Sequence, residues 1–594
     1  MLNSTFLTGV QRGMFKIFGV VLLTLALSSS SLAWAENATT AGAISTPYPT
    51  LTCLAVEWLI DGDDNEDGVV EVSYRAAGES QWRQAMPLVR VPAGSTGGRT
   101  RPTFYWMNKH SGSIFDLLPD TEYELRLSLS DPDGGQAVET VTVRTRPVPR
   151  AAPDAPVKKV NPRTFWDSLR TAQPGDILLL TPGYYDKWHS ESVIDRSGEP
   201  GRPIVIRADG GHPVIGSTFA SISLQHCRHI ILEGLTVNGT IDLRFAEDVA
   251  VRRCTVKARY GIIAKESPGC KNCYIADNTV SWVMPWVAEG MGSNMPDGGA
   301  ANIGEGIEIT GPGNVICYNR VSGYRDCIST MEDIWAYDQS CIDIYNNDIT
   351  LGVDDAIEAD FCSHNCRIMR NRITNCAMGL SSQPGLGGPN YFIRNVMYNL
   401  TGAPFKLERH SVGNIFLHNT VVKCGDGFYA PHWQGEYFRT VYRNNLAVGG
   451  PMWQKPRSRR RAPRTESQVV RLPGFNASCE FDYNGVGIHD APFKGLVGPK
   501  SYFTDIEGLR KLTRGSHSIR VSLDVFADQV KMPFPPIPQW DLADLRLKAG
   551  SAAVDAAQPL PNVNDSFSGA APDLGAYELG AEMPHYGPRP VGEE

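Results

Sequence analysis

A short polar and apolar unit recurs along the second half of the chain. It is an asparagine followed closely by an aliphatic residue, and it stands at Asn278, Asn319, Asn347, Asn371, Asn395, Asn419 and Asn444. Most intervals between these asparagines are 24 or 25 residues, which is typical of a coil of three short strands and three turns. Helical repeats need longer apolar stripes with a period of about 3.6 residues, and the sequence lacks them. The pattern therefore predicts a parallel β-helix.

The recurring asparagines have a structural role in this prediction. At one turn of successive coils, their side chains would hydrogen-bond along the coil axis and satisfy buried backbone groups. We therefore do not expect them to be catalytic.

The residues before the repeat alternate between apolar and polar positions, as half-buried strands do. The string LPDTEY, which ends at Tyr123, the early Trp58 and the closing VTVRTRP resemble fibronectin type III domains. The resemblance implies a β-sandwich over residues 46–148, in which Tyr123 takes the tyrosine-corner role. A linker rich in proline and alanine follows at residues 149–160.

A short helix is predicted next, because Phe165, Leu169 and Ala172 share one helical face. Such a helix, followed by GD, PG and a short strand, resembles the start of secreted right-handed parallel β-helix enzymes of the pectin lyase-like superfamily. The resemblance implies an all-β protein in which a fibronectin type III-like sandwich precedes a right-handed parallel β-helix over residues 161–450. A basic loop and a C-terminal capping segment would occupy residues 451–594.

Charge and the N-terminal segment restrict the function. The formal net charge is −8, whereas nucleic-acid-binding proteins carry a basic face, so no nucleic-acid partner is expected. Residues 1–35 combine basic Arg12 and Lys16, an uncharged stretch and small residues at Ala33 and Ala35. They are predicted to be a signal peptide, which implies a secreted or periplasmic protein with no transmembrane segment after cleavage. The oligomeric state is left open.

Thirteen cysteines stand in the predicted mature chain. Only Cys270 and Cys273 have a CxxC spacing, and a zinc site would need two such pairs with histidines. We therefore expect buried, stacked cysteines, of which an odd number leaves at least one unpaired within the chain.

A second strand follows each asparagine by about nine residues. Alternation along it places one set of side chains inside, namely Ile307, Ile328, Ile357, Leu380 and Leu407. The intervening residues form an outer column: Glu308, Ser329, Glu358, Ser381 and Lys406. A second outward column holds Thr310, Met331, Asp360, Gln383 and Glu408.

Further titratable residues stand close to these columns: Asp326, Asp354, Asp355, Arg409, His410 and His432. Since successive coils are about 4.8 Å apart, such dense carboxyl groups raise one another's pKa unless a cation or a proton compensates them. The strand face is therefore predicted to be a functional site.

This face resembles the polygalacturonase-like glycoside hydrolases, which are parallel β-helices with motifs NTD, DD, GHG and RIK on successive coils. RDC supplies Asp326, VDDAI supplies Asp354 and Asp355, and PFK supplies Lys406. The third motif departs from the family, because Met378 of AMG replaces its histidine.

Two enzymatic functions are consistent with this face. In glycoside hydrolysis Asp355 would be the acid, Asp326 or Asp360 the base, and Lys406 would bind a substrate carboxylate, with no cofactor required. In the alternative, a polysaccharide lyase, Glu358 and Asp360 would hold Ca²⁺, and Lys406 or Arg409 would abstract a proton. The Glu358–Asp360 spacing resembles metal-binding pairs of β-helix lyases.

The expected partner is a polysaccharide, and an anionic one fits the basic residues of the face. Its binding residues would be Glu308, Gln383, Glu408, Arg409, His410 and His432. A third alternative is a non-catalytic glycan-binding or adhesive protein, which would need a flatter and more neutral face.

Two other segments allow two interpretations each. Trp282, Trp286 and Met291, in the long interval before Asn319, either flank a sugar-binding cleft or pack on the coil. The basic run KPRSRRRAPR is either a solvated loop or a handle for an anionic glycan, and its cations are Lys455, Arg457, Arg459, Arg460, Arg461 and Arg464.

Overall fold

The structure is a computed structural model in which part of the chain is described. The described residues are 36–97, 103–185, 192–215, 221–265, 268–288, 291, 304–330, 339–432, 434–453 and 464–592. The predicted signal peptide lies outside them. None of the helices in these ranges is long and apolar enough to span a bilayer.

The N-terminal part is an antiparallel sheet that curls around its own core. In spatial order its strands are Thr39–Ser45, Leu54–Gly62, Lys109–Ile114, Arg83–Val91, Val69–Ala76, Glu122–Ser130 and Gln136–Arg144. A small ribbon pairs Gly94–Ser95 with Tyr105–Trp106. The hydroxyl of Tyr123 accepts a hydrogen bond from the backbone N–H of Leu118 (2.9 Å), the contact expected of a tyrosine corner. Membership in the fibronectin type III class and the domain boundaries stay predictions.

The rest of the chain winds into coils that add one strand at a time to three parallel sheets. Sheet 1 contains Val157–Val160, Ile177–Leu180, Ile204–Ala208, Ile230–Glu233, Ala250–Arg252, Tyr274–Ala276, Val315–Cys317, Asp343–Tyr345, Arg367–Met369, Leu386–Ile393, Val412–Leu417, Val441–Arg443 and Glu480–Asp482. Sheet 2 contains Val214–Ile215, Thr236–Val237, Thr255–Lys257, Thr279–Ser281, Arg320–Tyr324, Asp348–Gly352, Arg372–Cys376, Val396–Leu400, Thr420–Val422, Leu446–Gly449, Gly485–Ile488 and Ile519–Arg520.

Sheet 3 completes each coil. Its strands are Ser192–Val193, Ile222–Ser223, Ile241–Asp242, Ile262–Ala264, Glu305–Ile309, Asp326–Ser329, Asp355–Glu358, Met378–Ser381 and Phe405–Lys406. A smaller sheet in the last coils holds Phe428–Tyr429, Val470–Leu472, Gly495–Val497 and Ser501–Phe503. The helices are Phe165–Arg170 and Ile506–Thr513, with a 3₁₀ turn at Leu523–Val525. The prediction of an all-β protein with a parallel β-helix is confirmed.

Aliphatic and aromatic side chains fill the coil interior in register. Ile328 pairs with Ile307 on one side and with Ile357 on the other, as predicted. In the last sheet 3 strand, the inward residue is two positions away from the predicted one, because Phe405 rather than Leu407 pairs with Leu380. Alternation left both positions pointing inward, and only the observed register distinguishes them. The predicted helix Phe165–Arg170 packs its buried Phe165 and Leu169 into the same core cluster. All thirteen cysteines are buried free thiols.

The asparagine ladder is present at the turn between sheets 1 and 2. The side-chain amide of Asn371 donates to Oδ1 of Asn395 (3.0 Å) and to the carbonyl of Ile344 (2.9 Å). One member differs from the prediction: Asn445, not Asn444, accepts from Asn419 (2.9 Å).

The reason for this difference is the backbone before each ladder position. The preceding residue is left-handed in successive coils, with φ of 50° at Arg370, 56° at Arg394 and 54° at His418. In the RNN sequence Asn444 takes this left-handed position at φ 59°. An asparagine tolerates that conformation well, so the second asparagine enters the ladder.

Two of the three outer faces of the coil are covered. Leu51, Cys53 and Phe115 of the N-terminal domain pack on outward side chains of sheet 1, including Tyr391. The C-terminal segment packs an apolar cluster on outward side chains of sheet 2, and its members include Leu545, Leu547, Leu574 and Tyr577.

The long insertion contributes to this packing. Trp286 and Met291 are buried in one cluster with Val353 and Ala377. The indole N–H of Trp286 donates to the carbonyl of Pro536 (3.2 Å). These two residues therefore pack on the coil rather than flank a cleft; much of the remaining insertion lies outside the described residues.

A partly buried polar network joins the N-terminal domain to the coil. Oε1 of Glu57 lies 2.6 Å from Nζ of Lys109 and 2.7 Å from Nδ1 of His364, which belongs to the coil. Burial alone would raise the pKa of Glu57, but the hydrogen bonds and charges of His364 and Lys109 outweigh burial and lower it to about 2.

We predict that replacing Asn371 with alanine lowers stability by about 3 kcal/mol, because buried hydrogen-bonding groups above and below lose their partner. The measurement is the midpoint of denaturant unfolding. Asn65→Ala, at an exposed loop position, is the matched control. Equal midpoints for both variants would contradict a structural ladder.

We also predict that acid weakens the attachment of the N-terminal domain. The folded pKa of Glu57, about 2, lies below its ordinary value of 4.5. The stabilisation is therefore complete above about pH 4.5 and is lost as the pH falls toward 2, with a full size of about 3 kcal/mol. Unfolding midpoints across this pH range should fall less steeply in Glu57→Gln than in the wild type; parallel curves would refute the assignment.

Candidate active site on sheet 3

The outer face of sheet 3 carries the predicted column of polar residues. In the strand register Glu308 pairs with Ser329, Ser329 with Glu358, Glu358 with Ser381, and Ser381 with Lys406. The sequence-based column is therefore reproduced residue by residue.

Another column, which was not defined from the sequence, lies at the start of the same strands. Glu305 pairs with Asp326, and Asp355 pairs with Met378. The backbone N–H of Asp355 donates to Oδ1 of Asp326 (2.8 Å), which joins the two rungs. The hydroxyl of Ser329, in the outer column, donates to Glu305 (3.1 Å), so the two columns are in contact.

Three carboxyl groups from these columns form a compact cluster. Asp326, Asp355 and Glu358 each offer an oxygen, and these oxygens lie within 4.8 Å of one another. Asp326 and Asp355 are 0% exposed and Glu358 is 4% exposed. We call these three residues the carboxylate cluster.

Two cations lie against the carboxylate cluster. Lys406 Nζ is 2.5 Å from Asp355 Oδ2 and 3.9 Å from Glu358 Oε1. Arg325 lies 3.3 Å from Asp326, 3.5 Å from Asp354 and 3.7 Å from Glu305. The side chains of Arg325 and Lys406 are 26% and 13% exposed, so they separate the buried carboxyl groups from solvent.

Burial and crowding shift the titration of these groups. Burial first, and then the neighbouring carboxyl groups, hold the pKa of Glu358, Asp326 and Glu305 well above the usual range. Burial alone would lower the pKa of Lys406, but Asp355 and the other nearby carboxyl groups raise it well above its ordinary value. The carboxylate cluster is therefore expected to keep a proton, and Lys406 beside it is held in its protonated form.

Asp360 follows Glu358 by two residues, and Gln383 follows Ser381 by two residues. Asp360 Oδ1 accepts from the Ser381 hydroxyl (2.6 Å) and from the backbone N–H of Gln383 (3.0 Å). Both residues are buried, with 0% and 3% exposure. Asp360 is thus held within a hydrogen-bonded turn next to the carboxylate cluster.

Three further predicted binding residues, Glu408, Arg409 and His410, follow the last sheet 3 strand, Phe405–Lys406. Burial raises the pKa of Glu408 to about 7, against the lowering effect of Lys406 and Arg409. Arg409 and His410 have left-handed backbones, and the His410 ring stacks on Phe438 at 6.1 Å. They therefore belong to the turn after the strand rather than to its face.

His432 and the basic run are placed elsewhere. His432 is exposed after the strand Phe428–Tyr429, one coil further on. Arg464 is bound to Asp426 through two contacts of 2.6 and 3.0 Å, so it anchors its segment. The other cations of the run lie outside the described residues.

Sequence reasoning missed Arg325 and Glu305. Arg325 stands directly before Asp326, and Glu305 stands 21 residues before Asp326, close to one coil period. The arginine's contacts with three acids depend on the corner between sheets 2 and 3, and only the folded coil brings these side chains together.

The carboxylate cluster has the dimensions of a calcium site. Oxygens bound to one Ca²⁺ at about 2.4 Å can be at most about 4.8 Å apart, and the cluster meets this limit. However, Lys406 already places its ammonium beside two of the three carboxyl groups.

The comparisons with known proteins concern architecture. No family profile and no curated protein matches the chain. The chain is similar to the solved structure of a family 28 exopolygalacturonase from Yersinia enterocolitica, with 12% identity, 77% of this chain and 98% of that chain covered, and a TM-score of 0.37. It is also similar to an alginate lyase from Paenibacillus sp. strain FPU-7 (15% identity, 47% and 98% covered, TM-score 0.27) and to XylC in complex with xylose (9% identity, 56% and 82% covered, TM-score 0.31).

We predict that Lys406→Met destabilises the protein by about 3–5 kcal/mol at pH 7, because buried carboxylates lose their counter-ion. The carboxyl groups can bind protons instead at lower pH, so the loss should shrink as the pH falls from 7 toward 4. Unfolding midpoints at several pH values test this, with Lys500→Met, at an exposed position, as the control. A loss independent of pH would contradict the charge argument.

Proposed function

We propose that this protein is an exported glycoside hydrolase that cleaves an acidic polysaccharide on the outer face of sheet 3. One observation carries the proposal: a carboxyl group with a raised pKa, Glu358, lies within 4.8 Å of Asp355, a carboxylate that Lys406 neutralises. Two-carboxylate hydrolysis needs this combination of a protonated acid and an ionised partner.

In the proposed reaction Glu358 gives its proton to the glycosidic oxygen as the bond from that oxygen to the anomeric carbon breaks. Asp355 either attacks the anomeric carbon or removes a proton from the water that does so. One water molecule is consumed: its oxygen and one hydrogen become the hydroxyl on the anomeric carbon, and its other proton restores Glu358, directly or by way of Asp355. From the sequence, Asp355 was expected to be the acid and Asp326 or Asp360 the base. The proposed reaction instead uses Glu358 as the acid and Asp355 as its partner, because Lys406 Nζ lies 2.5 Å from Asp355 Oδ2.

The cations of the face support an acidic substrate. Arg325 and Lys406 are each more exposed than the carboxyl groups that they contact. A sugar carboxylate that approached the buried acids would meet these two side chains first. The predicted signal peptide supports action outside the cytoplasm, where polysaccharides are degraded.

A calcium-dependent lyase is the second candidate, and the spacing of the carboxylate cluster favours it. In that reaction Asp326, Asp355 and Glu358 would bind Ca²⁺, which would neutralise a uronate carboxylate. Lys406 would then remove a proton from the sugar, but its raised pKa holds it in the protonated form, which is unsuited to a base. The hydrolase is therefore the better supported function.

The test is turnover on polygalacturonate, alginate and xylan. The hydrolase should release reducing ends without the ultraviolet absorbance of an unsaturated sugar, and EDTA should leave its rate unchanged. Glu358→Gln and Asp355→Asn should each lower kcat by about a hundredfold or more. Glu507→Gln and Asp490→Asn, at exposed carboxyl groups, are matched controls.

Three outcomes would contradict the hydrolase. An unsaturated product that disappears with EDTA would establish the lyase. Full activity of both cluster variants would move the chemistry to another face. Binding of these polymers without any cleavage would favour a non-catalytic glycan-binding protein.

A further inference from the structure

A cavity of about 260 Å³ opens on sheet 3 in coils that precede the carboxylate cluster. Its wall is formed by Thr240, Asp242, Arg244, Tyr260, Ile263 and Lys265. None of these residues belongs to the site described above, and the proposed reaction does not use them.

Strand register places this cavity in line with the cluster. Asp242 pairs with Ile263, and Ile263 pairs with Glu308. Two further pairings lead through Ser329 to Glu358. Ile263 is therefore three rungs from Glu358, a distance of about 14 Å at about 4.8 Å per rung. A polymer lying along the coil axis would contact both places at once.

The wall combines an aromatic ring with an excess of positive charge. Lys265 is exposed, and its Nζ is 5.4 Å from the centre of the Tyr260 ring. Arg244 lies 2.7 Å from Asp242, and Gln225 donates to the same carboxylate (2.8 Å). Arg244 thus balances Asp242, and Lys265 supplies the additional charge.

These groups suit one kind of ligand. The flat apolar ring of a tyrosine packs well against the apolar face of a pyranose, and an ammonium beside it can pair with a carboxylate carried by the same sugar. Thr240 and the Asp242–Arg244 pair offer further hydrogen-bonding groups to hydroxyls. Aromatic, cationic and hydroxyl-binding groups around one small cavity therefore match a uronic acid unit.

We propose that this cavity is a remote subsite that binds a uronate unit of the polysaccharide while another part of the same chain lies at the carboxylate cluster. This inference rests on the proposed function for the identity of the polymer. Lys265 binds the sugar carboxylate and Tyr260 packs against the ring. Two attachment points about 14 Å apart make affinity depend on chain length, because only an oligomer that spans both gains from the second contact.

The experiment measures binding by calorimetry, so it does not depend on turnover. The probes are a hexamer and a dimer of galacturonate, and the hexamer of neutral xylose. Lys265→Ala and Tyr260→Ala should each weaken binding of the acidic hexamer about tenfold, which corresponds to about 1.4 kcal/mol. They should leave binding of the dimer at the cluster unchanged.

Matched controls are Lys257→Ala, an exposed lysine on sheet 2, and Tyr502→Ala, an exposed tyrosine of the last coils. Circular dichroism spectra and unfolding midpoints of all variants establish that each is folded. Neither control should change the affinity for the acidic hexamer.

The outcomes separate the two proposals. Weaker binding of the hexamer by the Lys265 and Tyr260 variants, with a wild type that cleaves nothing, would retain the subsite and refute the hydrolase. Unchanged affinity for the hexamer in both variants, or no binding of either acidic oligomer by the wild type, would overturn the subsite. Equal losses for neutral and acidic hexamers would overturn the assignment of a uronate.

Discussion

Register between successive coils is the constraint on which this structure depends. Each rung lies about 4.8 Å above the previous one, so a side chain in one coil lies next to the side chain at the equivalent position of the next coil. An isoleucine pairs with an isoleucine in the interior, and an asparagine hydrogen-bonds to an asparagine at the turn. The same rule places carboxyl groups next to one another on sheet 3, where repetition is costly unless something compensates the charge.

Two faces of the coil are packed against other segments, and this determines which row of repeated side chains can contact a ligand. The N-terminal domain packs on sheet 1, and the C-terminal segment packs on sheet 2. On both faces many outward positions are apolar and pack against a partner segment, and charged pairs such as Asp343–Arg367 on sheet 1 and Asp348–Arg372 on sheet 2 lie among them. Both the carboxylate cluster and the Tyr260 cavity lie on sheet 3, which neither of these two packing contacts covers. The covered faces therefore leave one side of the coil for a long ligand.

The parts of the fold that depend on local periodicity could be predicted from the sequence. The coil, the asparagine ladder and the outer column of sheet 3 follow from a repeat of about two dozen residues together with strand alternation. The prediction named the wrong residue where either of two nearby residues could occupy the same position in the coil. This happened at Asn444 and Asn445 and at Phe405 and Leu407. In each case the backbone or the register, rather than the residue type, decided between them.

The long-range features could not be predicted in this way. The contact between Glu57 and His364 joins residues 307 positions apart, and no period relates them. Arg325 could be found as a neighbour of Asp326, but its contact with Asp354 requires the fold of the next coil. The sequence therefore indicates where charge accumulates, whereas the tertiary structure determines how it is compensated.

The balance of charge in the site bears on the kind of substrate it can accept. Glu305, Asp326, Asp354, Asp355 and Glu358 lie around Arg325 and Lys406, so these carboxyl groups outnumber the two cations. Protons must make up part of the difference, which agrees with the raised pKa values of Glu305, Asp326 and Glu358.

A uronate that engaged Arg325 or Lys406 would draw positive charge away from the buried acids and favour retention of their protons. An acidic substrate would in this way strengthen the protonation of Glu358 that the proposed hydrolysis requires. A neutral sugar would have no such effect. The excess of carboxyl groups is thus compatible with an anionic ligand, because the ligand would share the cations and the proton would remain on the group that the proposed reaction uses as its acid.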